Sequence, residues 1–384
     1  MITELSFHCT VLRLTILVKI RHIIFFYIIN FVVKYFTTMP INYLFMRIED
    51  IKKIDTKHMY KVYDNWPDIA RESYNKKYDK IDVSDIDHIV FAGMGGSGTV
   101  GDTIREILSK KNIHVTNVKG YLLPKTVDSK TLVIATSISG NTSEILTILK
   151  DVKKTNAQVV GFSSGGLMEK YCTNNKIFFQ KISMIHSPRA SFTNFLYAIL
   201  NILGPVLPIQ KNDIKDSITS LDNIKKNIFS GNLNTENKAL SLAEFVRDVV
   251  CIYSPGGLKP AAIRYKNCLQ ENAKTHAMVE DIIESCHNGI VAWEKESLVK
   301  PVLIQGKDDH PKTIERFNIL KEYFENEKID YRIINSIEGN ILSKIVGLTY
   351  LLDYSTIYTS ILNKIDPTPV NSIDFVKNKL KNVE

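Results

Sequence analysis

The chain is 384 residues long, with 44% hydrophobic and 23% charged residues, a composition that argues against a fibrous or intrinsically disordered protein. Two domains of ordinary size fit this length. The formal net charge of +8 comes from lysines interleaved with acids, without a compact basic run, so we expect no nucleic-acid partner. Five scattered cysteines without C-x-x-C spacing argue against a disulfide framework and favour a reducing cytoplasm.

Residues 1–45 differ from the rest of the chain. They contain no acidic residue after Glu4, and the run Ile23–Val33 is apolar apart from one tyrosine and one asparagine. This run is too short for a membrane-spanning helix, which needs about 20 residues, so a signal anchor is a poor alternative. We favour a misassigned start codon, with translation from Met46 or Met39, and expect no membrane association unless the extension is genuine. Intact-mass measurement of the natively expressed protein tests this prediction.

A helical lead-in is predicted over 46–80 and a first domain over 81–205, where apolar runs alternate with helical patterns. Short apolar runs predict strands at His88–Gly93, His114–Val118, Thr131–Thr136, Gln158–Phe162 and Lys176–Phe179. Apolar positions at helical spacing predict helices at Ser97–Leu108, Thr142–Val152 and Ala190–Ile202. Alternation of strands and helices predicts a parallel sheet that is covered on both faces.

A polar stretch over 206–238 is predicted to form linker helices, and a second α/β series follows over 239–384. Its predicted strands are Asp248–Tyr253, Val302–Gly306 and Tyr331–Ile334. Its predicted helices are Lys259–Glu271, Ile341–Leu362 and Val370–Leu380. The sequence therefore predicts the α/β class, with two doubly wound, flavodoxin-like parallel sheets.

The first chemically informative loop, Gly93–Gly98, follows a predicted strand and opens a helix. Its glycines let backbone amides approach an anion, and the helix N-terminus favours negative charge. The loop also fits the G-x-G-x-x-G dinucleotide fingerprint, but that fingerprint expects an acid after the next strand. Here the chain continues Val118-Lys119-Gly120-Tyr121. A nicotinamide site and a purely structural turn are therefore the weaker alternatives.

The second loop, Ser137–Thr142, favours phosphate. Between Thr136 and Ser143 the chain places five hydroxyl side chains and a glycine, after a predicted strand and before a predicted helix. A capped helix needs one hydroxyl, which Thr142 supplies as a natural N-cap. Hydroxyls together with backbone amides form an uncharged cradle that suits a monophosphate.

These segments resemble a known family. Ser137–Thr142 is similar to the phosphate loop of sugar isomerase (SIS) domains. Four more segments, in order, resemble the bifunctional phosphoglucose/phosphomannose isomerases: Gly93–Gly98 with Gly101-Asp102, Ser187–Ala190, Glu271–Lys274 and Asp366–Val370. The resemblance runs from about Tyr60 to the C-terminus and implies two tandem SIS domains, with the N-terminal extension outside the family.

The resemblance implies an aldose–ketose isomerase that interconverts glucose 6-phosphate and mannose 6-phosphate with fructose 6-phosphate through a cis-enediol, without a metal or cofactor. It places the base at Glu271, since a partly desolvated carboxylate can move a proton between C1 and C2. A fixed guanidinium at Arg189 would stabilise the enediolate charge. A surface glutamate and a structural arginine are the alternatives from the residues alone.

The resemblance also implies a histidine for ring opening, supplied across a homodimer interface. His287 stands at a similar spacing, although Gly289 replaces the acidic residue that the family commonly has. A C-terminal lysine assists ring opening in the family, and we assign it to Lys377, with Lys379 as the alternative.

Phosphate binding is assigned to Ser137, Ser139 and Thr142, with Gly96 and Ser97 near the sugar hydroxyls. No His, Glu or Cys cluster in the sequence has metal-ligand spacing, so no metal is expected. Two alternatives remain open: a non-catalytic SIS sugar-phosphate sensor, and an isomerase of another sugar phosphate. A sensor would keep the phosphate loop without needing the base, the histidine and the arginine together.

Overall fold

A computed structural model of the protein describes residues 46–246 and 248–381. The predicted N-terminal extension, with its alternative start at Met39, lies outside the described residues. The helices that precede the first strand are α1 (Ile48–Ile54), α2 (Met59–Asp64) and α3 (Trp66–Asn75). Trp66 is buried and stacks on Tyr350, with ring centroids 5.4 Å apart. These helices therefore pack into the core of the protein.

The first sheet has five parallel strands in the order β2-β1-β3-β4-β5. The strands are β1 (His88–Ala92), β2 (His114–Val118), β3 (Thr131–Ser137), β4 (Gln158–Ser163) and β5 (Phe178–Lys181). Its helices are α4 (Gly95–Leu108), α5 (Ser143–Val152), α6 (Gly166–Asn174) and α7 (Phe192–Ile202). The central strands β1 and β3 are buried along their full length, as expected for a sheet covered on both faces.

The second sheet has four parallel strands in the order β7-β6-β8-β9. The strands are β6 (Val250–Ser254), β7 (Ala277–Asp281), β8 (Lys300–Gln305) and β9 (Arg332–Asn335). The helices of this half are α8 (Lys211–Ile228), α9 (Lys238–Phe245), α10 (Lys259–Cys268), α11 (Ile282–Ser285), α12 (Pro311–Asn326), α13 (Ile341–Leu362) and α14 (Asn371–Lys381). Short 3-10 turns cover Gly256–Leu258 and Gly289–Glu294, and a π-helical turn covers Leu269–Ala273.

The two parallel sheets with flanking helices confirm the predicted α/β class, but some elements differ from prediction. Strand β7 and helices α6 and α12 were not predicted. The strand predicted over Lys176–Phe179 lies two residues later, and the helix predicted over Lys259–Glu271 is α-helical only to Cys268. Strand β7 reads Ala-Met-Val-Glu-Asp, which is too mixed for an apolar run, because it lies at the edge of its sheet and is only partly buried.

Helix α13 is the central element of the C-terminal half. It is apolar on all sides and is buried along almost all of its 22 residues. Its Asp353 is fully buried and accepts hydrogen bonds from Arg264 of α10, at 2.6 and 2.9 Å. Within the described ranges, no helix combines the length and apolarity needed to cross a membrane.

The register of the first sheet places the two predicted loops side by side. Strands β1 and β3 are neighbours, with Ala92 opposite Ala135. Parallel strands end at the same edge of a sheet, so the chain leaves both strands at adjacent points. In open α/β sheets ligands bind at this carboxyl edge.

Candidate active site

The loop Ser137–Thr142 after β3, called the hydroxyl loop below, brings its hydroxyl side chains together. Ser137 Oγ lies 2.7 Å from Thr142 Oγ1 and accepts a hydrogen bond from the Gly140 amide at 3.1 Å. The Ser139 hydroxyl accepts a longer bond from the Asn141 amide at 3.4 Å, and Ser139 is only half-buried. Thr142 occupies the N-cap position of α5, as predicted, but its side chain makes no cap bond, because its hydroxyl is engaged by Ser137.

Gly140 fixes the position of this loop. Its φ is +72°, and a Cβ there would lie 1.8 Å from the carbonyl oxygen of Gly165, so no other residue fits without moving the backbone. The Gly140 carbonyl accepts from Met168 N, and Asn141 Oδ1 accepts from Leu167 N. The turn after β4 therefore holds the hydroxyl loop from behind.

The loop after β1 joins the hydroxyl loop to the rest of the site. Ser97 is buried, and its Oγ accepts the Ile138 amide at 3.1 Å. Gly96 packs against the next segment, since a Cβ there would lie 3.2 Å from the Pro188 carbonyl oxygen and 3.6 Å from Arg189 Cα. The predicted residues Gly96 and Ser97 thus lie between the hydroxyl loop and Arg189. The Ser97 hydroxyl already accepts a hydrogen bond from Ile138 of the hydroxyl loop.

Glu271 lies in the π-helical turn that follows α10. Such turns widen the helix and are frequent at functional sites. The Glu271 side chain is 27% exposed, and its Oε2 accepts a hydrogen bond from Arg189 Nη1 at 3.4 Å. The two predicted catalytic residues, 82 positions apart in sequence, are therefore in contact.

Arg189 is 5% exposed, and most of the N–H groups of its guanidinium donate hydrogen bonds to the protein. Nε donates to Asn272 Oδ1 at 2.6 Å, while Nη2 donates to the carbonyl oxygens of Pro367 at 2.6 Å and Thr368 at 2.9 Å. Asn272 in turn donates to Thr356 Oγ1 of α13 at 2.8 Å. Arg189 therefore has a structural role as well, and Nη1 is the nitrogen that it directs toward Glu271.

A second buried cation supports Arg189. The backbone carbonyl of Arg189 accepts a hydrogen bond from Arg264 Nη2 at 2.7 Å, and the Arg264 guanidinium lies 4.3 Å from the centroid of the Phe192 ring. Burial raises the pKa of Asp353, the partner of Arg264, while the positive charge of Arg264 opposes that rise. The arginine predicted to act on substrate is thus positioned by a buried ion pair.

The structure does not join His287 or Lys377 to the Arg189–Glu271 pair by a hydrogen bond or ion pair among the described residues. His287 is exposed in the turn after α11, and Lys377 is exposed on α14. The alternative lysine, Lys379, has its Nζ 5.8 Å from the Phe375 ring centroid. The roles assigned to these residues stay predictions.

Gly289, where the family's acidic residue is absent, has a carboxylate close by. A Cβ at Gly289 would lie 3.9 Å from Oε2 of Glu280, on β7.

No group of three His, Cys, Asp or Glu side chains that could hold a metal occurs in 46–246 or 248–381.

Lys274 ends the segment Glu271–Lys274 that resembles the family, and its role was not predicted from the sequence. Its Nζ donates to the Glu271 carbonyl at 2.6 Å and to the Pro369 carbonyl at 2.7 Å. Its position three residues after Glu271 could have indicated the contact with the Glu271 carbonyl. The contact with Pro369 depends on the tertiary fold and could not be predicted from the sequence.

A groove of about 740 Å³ lies elsewhere, between α8, α9, β9 and α13, and none of the site residues above line it. Its charged lining side chains, Glu236, Lys238, Arg332 and Glu338, belong to exposed residues. The convergence of polar groups at Arg189 and Glu271 identifies the candidate site better than cavity size does.

Comparisons with known proteins cover both halves of the chain. The SIS domain family model matches residues 82–199, and the model of the bacterial phospho-glucose isomerase C-terminal SIS domain matches residues 235–380. A bifunctional phosphoglucose/phosphomannose isomerase from Caldicellulosiruptor bescii is 30% identical over 314 residues, which span 79% of this chain and 92% of the relative. The Aquifex aeolicus enzyme of the same name is 26% identical over 340 residues, spanning 87% and 99%.

A solved structure supports the fold. The C-terminal domain of glucosamine-fructose-6-phosphate aminotransferase from Francisella tularensis superimposes with a TM-score of 0.61 at 18% identity, covering 80% of this chain and 96% of that domain. At this identity the similarity shows the SIS fold alone.

Proposed function

The chain belongs to the bifunctional phosphoglucose/phosphomannose isomerase family, and from this premise we propose that it interconverts glucose 6-phosphate and mannose 6-phosphate with fructose 6-phosphate. The observation that carries the proposal is the contact between Arg189 and Glu271, connected through Gly96 and Ser97 to the hydroxyl loop. A sugar-phosphate sensor would need the loop but not the arginine–glutamate pair.

The hydroxyl loop is the proposed phosphate site. Ser137, Ser139 and Thr142 carry the hydroxyls, and the loop lies between the carboxyl end of β3 and the N-terminus of α5. Hydroxyls, backbone amides and the helix N-terminus together favour a phosphate without a lysine or arginine. Gly96 and Ser97 lie on the side of this loop toward Arg189, where we place the sugar hydroxyls.

Glu271 is the proposed base. From the open-chain aldose, its carboxylate takes the C2 proton and the C1 carbonyl oxygen gains a proton, which gives a cis-enediol. Glu271 then gives a proton to C1, in part after exchange with solvent, while the C2 hydroxyl loses its proton to solvent, which gives the ketose. Nη1 of Arg189 stabilises negative charge on the enediolate oxygens. Rotation about C2–C3 presents either face of C2 to the base, so one site serves both epimers.

Ring opening is proposed to involve His287 from the second subunit of a homodimer and Lys377. Imidazole suits proton transfer between the ring oxygen and the C1 hydroxyl near neutral pH. The exposure of the His287 side chain supports its supply to another subunit. We propose a metal- and cofactor-independent reaction in the cytoplasm. The free thiols Cys172, Cys251, Cys268 and Cys286 suit that compartment.

A coupled assay tests the proposed function. Purified protein is supplied with glucose 6-phosphate or mannose 6-phosphate, and fructose 6-phosphate formation is followed with and without EDTA. We expect turnover of both substrates and no effect of EDTA. Activity on neither substrate would overturn the function, and loss of activity in EDTA would overturn the metal-free mechanism.

A further inference from the structure

Lys274 ends the turn that carries Glu271 in an uncommon backbone conformation. Its φ is +56° and its ψ is +29°, in the left-handed region that residues other than glycine rarely adopt. The backbone amides of Lys274 and Thr275 both donate to the Leu269 carbonyl, which closes the π-helical turn. The left-handed residue directs the lysine side chain back over the turn that it ends.

The ammonium group of Lys274 then bonds to two backbone carbonyls from distant parts of the chain. One is that of Glu271 itself, at 2.6 Å, and the other is that of Pro369, 95 positions later, at 2.7 Å. Carbonyls in the last turn of a helix lack partners within the helix, and a cation there is favourable. A charge-assisted bond is also shorter and stronger than a neutral one.

Arg189 makes the matching contacts from the interior. It donates to the carbonyls of Pro367 and Thr368, while Lys274 donates to that of Pro369. Three successive carbonyls of the loop Asp366–Pro369, called the C-terminal loop below, therefore each accept a hydrogen bond from a cation. Arg189 is buried and Lys274 is exposed, so Glu271 is held from both sides of the turn.

We propose that Lys274 is a positioning residue of the isomerase reaction, whose ammonium holds the Glu271 turn against the loop Asp366–Pro369. This inference rests on the proposed function, because the carboxylate of Glu271 must reach both C1 and C2 of the sugar. A turn that moves relative to the C-terminal loop would place the base correctly only part of the time. Misplacement of about 1 Å lowers turnover by about a hundredfold.

The charges around Lys274 give this role a pH dependence. Although Lys274 is exposed, the protein around its ammonium partly desolvates it, which lowers its pKa, and the positive charge of Arg189 lowers that pKa further, while Asp366 and Glu271 oppose these effects. The ammonium therefore loses its proton at a lower pH than an ordinary lysine does. Because the bonds to both carbonyls weaken as the charge is lost, turnover falls on the alkaline side as pH rises through this pKa. An arginine at 274 keeps its charge throughout that range.

The test compares the full-length protein with Lys274→Met and Lys274→Arg, measuring kcat, KM and the alkaline pH profile with fructose 6-phosphate. Lys328→Met is the matched control, since Lys328 is also exposed and left-handed, with φ +55°, and lies after α12, away from the site. We expect Lys274→Met to lower kcat about tenfold to a hundredfold with a small change in KM. Lys274→Arg should restore most of kcat and move the alkaline fall to higher pH, and Lys328→Met should match the wild type.

Full kcat in Lys274→Met, or equal losses in Lys274→Met and Lys328→Met, would overturn the inference. If Lys274→Met does not fold, the alkaline fall of Lys274→Arg decides: a fall at the wild-type pH would overturn the positioning role. An inactive wild type would instead overturn the proposed function, and the inference with it. An active wild type with a normal Lys274→Met would overturn the inference alone.

Discussion

The two parallel sheets differ in what their carboxyl edges carry. In the first, β3 runs into a loop whose hydroxyls cluster at Ser137 and Thr142. In the second, β6 ends at Ser254 and runs into the glycine turn Gly256–Leu258, and the buried Ser254 hydroxyl has no hydrogen-bond partner among the described residues. The second half supplies Glu271 instead. One fold, present twice, thus divides proposed phosphate binding from proposed proton transfer.

The division requires a firm connection between the halves, and Arg189 provides it. It belongs to the first half by sequence, but its side chain contacts Asn272, Glu271 and the carbonyls of Pro367 and Thr368. Substitutions in each half should therefore have different kinetic signatures, and changes at Arg189 should affect both catalysis and stability.

The largest effect is expected for the base. Glu271→Gln keeps the size of the side chain but cannot accept the substrate proton. We expect kcat to fall about a thousandfold while KM changes little, because phosphate is held by the other half. The coupled assay measures both. Glu327→Gln, an exposed residue after α12, is the control. Near-normal turnover by Glu271→Gln would rule out this residue as the base.

Arg189→Lys is expected to have the next largest effect. A lysine keeps the charge but cannot donate to Asn272, Pro367, Thr368 and Glu271 together, because it lacks the planar fork. We predict a loss of about a hundredfold in kcat and a lower melting temperature, since buried carbonyls lose their partners. Kinetics and thermal unfolding check the two parts. Wild-type kcat with reduced stability alone would show that the role is structural.

Thr142→Val should affect binding more than chemistry. Valine has nearly the same shape but lacks the hydroxyl, and a hydrogen bond to a charged phosphate is worth enough to raise KM about tenfold. We expect kcat to stay within a few-fold of wild type. Ser254→Ala makes a hydroxyl deletion in the second half, and there KM should not change. Equal effects of both substitutions would contradict the division between the halves.

The smallest effect is expected at the C-terminal helix. Lys377→Ala should slow turnover of cyclic substrate a few-fold, because opening of the ring proceeds partly without enzyme, whereas Lys379→Ala should have no effect. Steady-state rates with glucose 6-phosphate for the two variants are sufficient. A loss confined to Lys379→Ala would reassign the lysine.

The sequence was most informative where function depends on contiguous residues. The buried strands β1 and β3 and the loops that follow them are local patterns of apolar, glycine and hydroxyl residues, and their register placed both loops at one edge. Helix α13 was predicted with its observed limits, because apolar residues recur on every face over its 22 residues, a pattern typical of a buried helix.

Features that depend on tertiary contacts were missed. The π-helical turn around Glu271 is closed by Leu269 and Lys274, and Lys274 is held by Pro369, 95 positions away. The pair Arg264–Asp353 spans 89 positions. The hydroxyl of Thr142 was expected to cap α5, but it pairs with Ser137, five residues earlier, and the sequence does not decide between these two local partners.

The central claim, that one base serves both epimers through an enediol, is tested most directly in D₂O. Fructose 6-phosphate is incubated with wild type or Glu271→Gln, and deuterium at C2 of the aldose products is followed by NMR. We predict deuterated glucose 6-phosphate and mannose 6-phosphate with the wild type, and no detectable amount of either with Glu271→Gln in the time that the wild type needs to reach equilibrium. Deuterated aldose formed by Glu271→Gln at close to the wild-type rate, or deuterium in only one of the two aldoses from the wild type, would contradict the claim.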